Sequence, residues 1–137
     1  MGRIMGIDFG LQRTGISVTD PNQIIVQGLE TQKTSEVIKF IQDYLSLEQV
    51  DMFVIGYPFV EGSWGEKKFH QKLNEFINKL RKLYPSKEVH LHDERYSSMR
   101  AKEIIMQRGL GRKKSQSKEL LDQTSAVIIL QEYLGHI

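Results

Sequence analysis

The run from Met52 to Tyr57, "MFVIGY", constrains the fold more than any other part of the chain. It is apolar without alternation and is closed by Gly56 and Pro58, which makes it too short for a buried helix. It reads instead as a strand covered on both faces, and strands of that kind run parallel to their neighbours between layers of helices. The pattern on either side agrees. Upstream, "RIMGIDF" reads as a strand, "GLQRTG" as a turn, and "ISVTD" as a second strand with Ile16 and Val18 in period two. "IIVQGLETQ" then follows the turn chemistry of "DPN" and completes an antiparallel meander.

Helical spacing takes over from Thr34. Thr34 or Ser35 is placed to cap a helix whose apolar face holds Val37, Ile38, Ile41, Tyr44 and Leu45. A second helix follows the loop "PFVEGSWGE" and repeats Phe69, Leu73, Phe76, Ile77, Leu80 and Leu83 at helical intervals. "EVHLHDE" is a further strand. Ser97 or Ser98 is placed to cap a third helix through Met106, ended by Gly109 and Gly111, and a last helix starts near Ser117 and runs through "AVIILQEYL". The expected fold is α/β, with a mixed five-stranded sheet, an antiparallel meander followed by parallel strands, and helices on both faces. With 137 residues, one domain spanning 1–137 is expected.

Composition narrows the function classes. The chain has no cysteine, which excludes disulfides, thiolate nucleophiles and Cys-ligated zinc. No apolar run approaches the roughly 20 residues of a membrane span, and the start "MGRIMGIDFG" lacks the apolar stretch of a signal peptide, so a cytoplasmic protein is expected. Net charge is only +2, but the charges are unevenly spread. Between Arg95 and Lys118 lie Arg95, Arg100, Lys102, Arg108, Arg112, Lys113, Lys114 and Lys118 against the single acid Glu103, a local basic patch suited to a phosphate backbone.

Three acids stand where acids are costly. Asp8 ends the first strand, Glu94 ends "EVHLHDE", and Asp122 lies one turn before the apolar part of the last helix. Each has a plain structural reading: hydrogen bonds to the turn at Gly10, a pair with Arg95, a pair with a nearby lysine. Together they suggest more, because ligands of open α/β sheets gather beyond the carboxyl ends of the strands. If the strands carrying Asp8 and Glu94 are neighbours, their carboxylates converge. Converging carboxylates need a cation, and Mg²⁺ or Mn²⁺ is the expected cofactor. Two such ions support phosphodiester hydrolysis without a Ser, Cys or His nucleophile. His90 and His92 share a face with Glu94 in this reading, either as metal ligands or as hydrogen-bonded neutral groups. Trp64 is compatible with stacking on a base or with covering the edge of the core.

"MGIDFG…RTGISVTDP", "GYP", "HDERYSS" and "RKKSQSKELLDQTSAVIILQEYL" resemble the YqgF/RuvX family over essentially the whole chain. These are small bacterial proteins of RNase H-like fold described as Holliday junction resolvases. The resemblance implies a metal-dependent endonuclease that matures the 5′ end of precursor 16S ribosomal RNA, with Asp8, Glu94 and Asp122 as catalytic metal ligands. Ala126 matches the alanine of the family's last motif, and Arg13 matches a basic position suited to holding a phosphate. Arg13, Arg95, Arg108, Arg112, Lys113, Lys114 and Lys118 are the expected nucleic-acid contacts. The loop "GYPFVEGSWG" departs from the family's Gly-Leu-Pro loop carrying Asn-Met-Asp-Gly.

Four functions compete at this point. The first is precursor-rRNA cleavage, with ribosome-assembly or transcription machinery as possible partners. The second is resolution of four-way DNA junctions, which calls for two active sites and hence a dimer. The third is a non-cleaving RNA-binding or regulatory module. The fourth is a nucleotide-binding ATPase suggested by "DFGLQRTGISV", which would need a second domain that 137 residues do not supply.

Overall fold

The computed structural model describes residues 2–58, 64–93 and 114–137, with side chains for 2–58, 67–93 and 123–137. The predicted third helix over 97–106 lies outside the described residues. In chain order the elements are β1 (Arg3–Asp8), β2 (Arg13–Thr19), β3 (Val26–Gly28), β4 (Gln32–Lys33), a 3-10 turn (Thr34–Glu36), α1 (Val37–Leu47), β5 (Val50–Tyr57), α2 (Trp64–Leu83), β6 (Glu88–Asp93) and α3 (Lys114–Tyr133).

The sheet is mixed, as the meander and the apolar run require. Its order is β3-β2-β1-β5-β6, with β4 pairing β2 off this path. β2 is antiparallel to β1 and β3, while β5 is parallel to both β1 and β6. Among the described residues the sheet thus has six strands rather than the expected five. The extra strand is two residues long, and its pairs Arg13–Lys33 and Thr14–Gln32 also lengthen β2 into what the sequence presents as turn. So short a strand carries no periodicity; its partner defines it. α3 likewise begins at Lys114, earlier than the expected start near Ser117.

Alternation along each strand sorts the side chains onto two faces. Met5, Ile7, Phe53 and Ile55 point toward α1 and α2 and join Val37, Ile41, Leu73 and Leu80 in the larger core. Full burial of such side chains contributes roughly 1.5–3 kcal/mol each. Ile4 and Val54 point the other way and meet Ile129 and Leu130 of α3.

α3 lies close on its face because the residues beneath it are small. A Cβ on Gly6 would stand 2.5 Å from Ser17 Oγ, 2.6 Å from Leu130 Cγ and 3.1 Å from the Ala126 carbonyl. Ser17 Oγ donates to that carbonyl at 2.7 Å, and Gln123 Nε2 donates to the Leu29 carbonyl at 2.9 Å. The helix is therefore tied across β1, β2 and the end of β3 by hydrogen bonds as well as by apolar contact.

Thr34 does not cap α1. Neither the 3-10 turn nor α1 has a side-chain cap. Thr34 Oγ1 instead donates to the Gly10 carbonyl at 2.6 Å and lies 2.9 Å from Thr14 Oγ1, while its amide donates to the Gln12 carbonyl at 3.0 Å. Its hydroxyl braces the hairpin turn that follows Asp8.

Candidate active site

Asp8 is the last residue of β1 and pairs with Gly15 of β2. Ile4 and Gly6 face α3, so alternation puts Asp8 on the same face, where it is half-buried. The turn beyond it is held tightly, since a Cβ on Gly10 would collide with the Arg13 carbonyl. Arg13 opens β2 and sits at the same end of the sheet as Asp8.

β6 reaches this end from the other side. Ile7 pairs with Ile55 and Ile55 with Leu91, so Asp8, Gly56 and His92 each come one residue further along three parallel strands. β1 and β6 are not neighbours, however, because β5 lies between them. Two strand spacings, about 9–10 Å, separate their backbones. Between Asp8 and His92 on the α3 face stands Gly56, which adds no side chain there.

β6 is described as far as Asp93; Glu94, Arg95, Arg108, Arg112 and Lys113 lie outside the described residues. Asp122 belongs to α3, one helical turn before Ala126, whose carbonyl is fixed to Ser17 above β2. Lys114 and Lys118 occupy the first turns of the same helix. Their side chains, that of Asp122 and that of Trp64 are likewise outside the described set.

The strand histidines share the α3 face, as the alternation of "EVHLHDE" implies. His92 Nε2 is 3.3 Å from Glu132 Oε1 of α3, and His90 Nε2 is 3.0 Å from Glu88 Oε2 with its ring edge-on to Tyr133 at 5.6 Å. Among the described residues no group of three or more His, Asp or Glu side chains is placed to hold a metal ion. The donor that is described, the Asp8 carboxylate, is a hard oxygen ligand and suits Mg²⁺ or Mn²⁺.

The described carboxyls whose acidity is displaced lie at the opposite end of the sheet. Hydrogen bonds from the Ile25 and Ile24 amides hold Asp20 below the ordinary carboxylate value, and the Gly2 amide does the same for Asp51. They brace the hairpin after β2 and the start of β5, far along the strands from Asp8. No helix among the described residues is long and apolar enough to cross a membrane.

The family model described as "RuvX: Holliday junction resolvase" matches residues 2–136. A relative from Porphyromonas gingivalis is 42% identical over 136 residues, covering 99% of this chain and 98% of its own, and bears the name "Putative pre-16S rRNA nuclease". One of the same name from Parabacteroides distasonis is 44% identical over 135 residues, covering 98% and 95%. Among solved structures, Thermus thermophilus RuvC bound to a Holliday junction superposes with a TM-score of 0.58 at 12% identity, covering 97% of this chain and 96% of that one. Fowlpox virus resolvase with its junction DNA gives 0.56 at 10% identity, covering 96% and 98%. At these identities the structural likeness establishes the resolvase-type, RNase H-like fold. The family match and the full-length relatives establish more: the chain belongs to the RuvX family of nucleic-acid-cleaving enzymes.

Proposed function

We propose that this chain is a divalent-metal-dependent endonuclease that matures the 5′ end of precursor 16S ribosomal RNA. The observation that carries the substrate choice is identity above 40% along the full length of relatives named for that RNA. The fold supports the chemistry. Asp8 and His92 lie toward one end of three parallel strands, with Gly56 between them and α3 crossing the same face.

In this reading Asp8, Glu94 and Asp122 hold the metal. Bound divalent ions would neutralise the carboxylates and supply Lewis-acid activation for hydrolysis. Asp8 is half-buried and fixed by the β1–β2 pairing, so little reorganisation is needed when a cation arrives. Arg13 at the braced turn, with Arg95, Arg108, Arg112, Lys113, Lys114 and Lys118, would hold the phosphate backbone and set its register. A ribosomal RNA substrate places the enzyme in the cytoplasm, alongside ribosome-assembly or transcription machinery.

The test is cleavage of precursor 16S RNA in Mg²⁺ or Mn²⁺. Asp8→Asn is expected to lower the rate by about a hundredfold or more while leaving the thermal transition in place; undiminished cleavage would overturn the assignment. The family description favours a second reading, resolution of four-way DNA junctions. Symmetric cutting requires two active sites, so sedimentation of a monomer in the presence of junction would remove it. Tight RNA binding without cleavage in any divalent metal would point instead to a regulatory module.

A further inference from the structure

The carboxyl end of β5 carries a second feature, on the face opposite α3. Tyr57, the last residue of β5, lies beside His70 of α2, with ring centroids 5.8 Å apart and planes inclined by 44°. His70 is 6.1 Å from Phe69, and Phe69 is 6.0 Å from Phe9, the residue after Asp8. The rings thus form a row from the buried Phe9 out to half-buried His70 and Tyr57.

The outer end of this row is built differently from the core. The Tyr57 hydroxyl donates to Asn74 Oδ1 at 3.1 Å, which fixes the plane of the phenol at the surface. Asn74 and His70 are four residues apart in α2 and so lie on one side of the helix. Exposed Lys67 and Lys68 precede them. Tyr57 and Phe69 also pack against the edge of the larger core. At the outer end two flat π-systems with polar tips are held at the boundary with water, one helical turn from the exposed Lys67. Strand spacing and rise put the Tyr57 Cα roughly 6 Å from that of Asp8, with the two side chains turned to opposite faces, so a nucleic-acid strand wrapping over the carboxyl edge of the sheet would meet both.

We infer that Tyr57 and His70 form a stacking ledge for an unpaired nucleobase next to the scissile position. The inference rests on the nuclease reading above and gives it a specificity: the substrate is single-stranded on one side of the cut. Base stacking on aromatic side chains tolerates any base and needs the base free of its partner.

The test is fluorescence titration of the full chain with a short single-stranded RNA carrying an adenine analogue whose emission falls on stacking. Parallel arms use the same strand as DNA and as a duplex. A chelator is present throughout, so binding is read whether or not the protein can cut, and loss of cleavage in Asp8→Asn remains a separate result. Wild type is expected to quench the analogue in both single strands and not in the duplex. Tyr57→Leu, which keeps apolar bulk, is expected to weaken single-strand binding by about tenfold and abolish the quench, with His70→Leu acting in the same direction. Tyr57→Phe, which keeps the ring, is expected to retain most of both. Unchanged affinity and quenching in Tyr57→Leu would overturn the inference. Equal losses in Tyr57→Leu and Tyr57→Phe would do so too, because they would assign the effect to the hydroxyl rather than the ring, and so would equal losses on duplex, where no unpaired base is available to stack.

Discussion

The two faces of the sheet are held by different means. On the α1 and α2 face, Phe53, Ile55, Leu73 and Leu80 are fully buried in a broad apolar layer. On the α3 face the apolar cluster among the described residues is smaller, and the helix is located by close approach at Gly6 and by the bonds of Ser17 and Gln123. The first arrangement supplies free energy without demanding one relative position. The second fixes where α3, the helix bearing Asp122, crosses the strand bearing Asp8. The lesson is a division of labour between stability and placement.

The largest effect is expected where that division would be broken from the apolar side. Phe53→Ala should destabilise the fold by about 3–5 kcal/mol, measured by chemical denaturation, with cleavage per folded molecule unchanged. Gly6→Ala attacks the other face. The new methyl would press on Ser17, Leu130 and the Ala126 carbonyl, so α3 must lift. A smaller loss of about 1–3 kcal/mol is expected, yet with a fall in cleavage that the folded fraction does not explain. If Gly6→Ala lost stability and kept full activity, the distinction between the faces would fail.

Ser17→Ala sharpens the same point. It removes the hydroxyl bond to Ala126 at a net cost of about 1 kcal/mol, and a reduced cleavage rate at full folding would assign that bond to placement. The smallest effect is expected far from the site. Asp20 accepts the Ile24 and Ile25 amides, which lowers its folded pKa below the ordinary 3.8. A carboxylate lowered in this way contributes stability above its unfolded pKa and loses it as pH falls through the folded value. The stability difference between wild type and Asp20→Asn should therefore shrink on acidification from about pH 6 to about pH 2, with cleavage near neutrality unaffected.

Elements with a long internal pattern were legible from sequence. The unbroken run of β5 announced a strand parallel to its neighbours, and the spacing from Phe69 to Leu80 announced α2 and its buried face. Features made by a distant partner were not legible. Thr34 looks like a helix cap because its true acceptor, Gly10, is 24 residues away. β4 exists through its pairing with β2, and so does the early start of β2 at Arg13. At the site, Asp8 at a strand end could be read from the apolar residues before it. The insertion of β5 between β1 and β6 could not, because strand order is a property of the whole chain. Gly56 acquires its meaning, as the residue without a side chain between Asp8 and His92, only from that order. Tyr57 and His70 were missed for the same reason: thirteen residues separate them, and nothing local to either announces a shared ledge.

The central claim is that Asp8, Glu94 and Asp122 together hold a divalent cation. Titration of Mn²⁺ into the full chain, followed by the loss of the free-ion electron paramagnetic resonance signal, addresses it directly. Wild type should take up Mn²⁺ saturably, and Asp8→Asn, Glu94→Gln and Asp122→Asn should each weaken that uptake while remaining folded. Uptake unchanged in all three variants would contradict the claim.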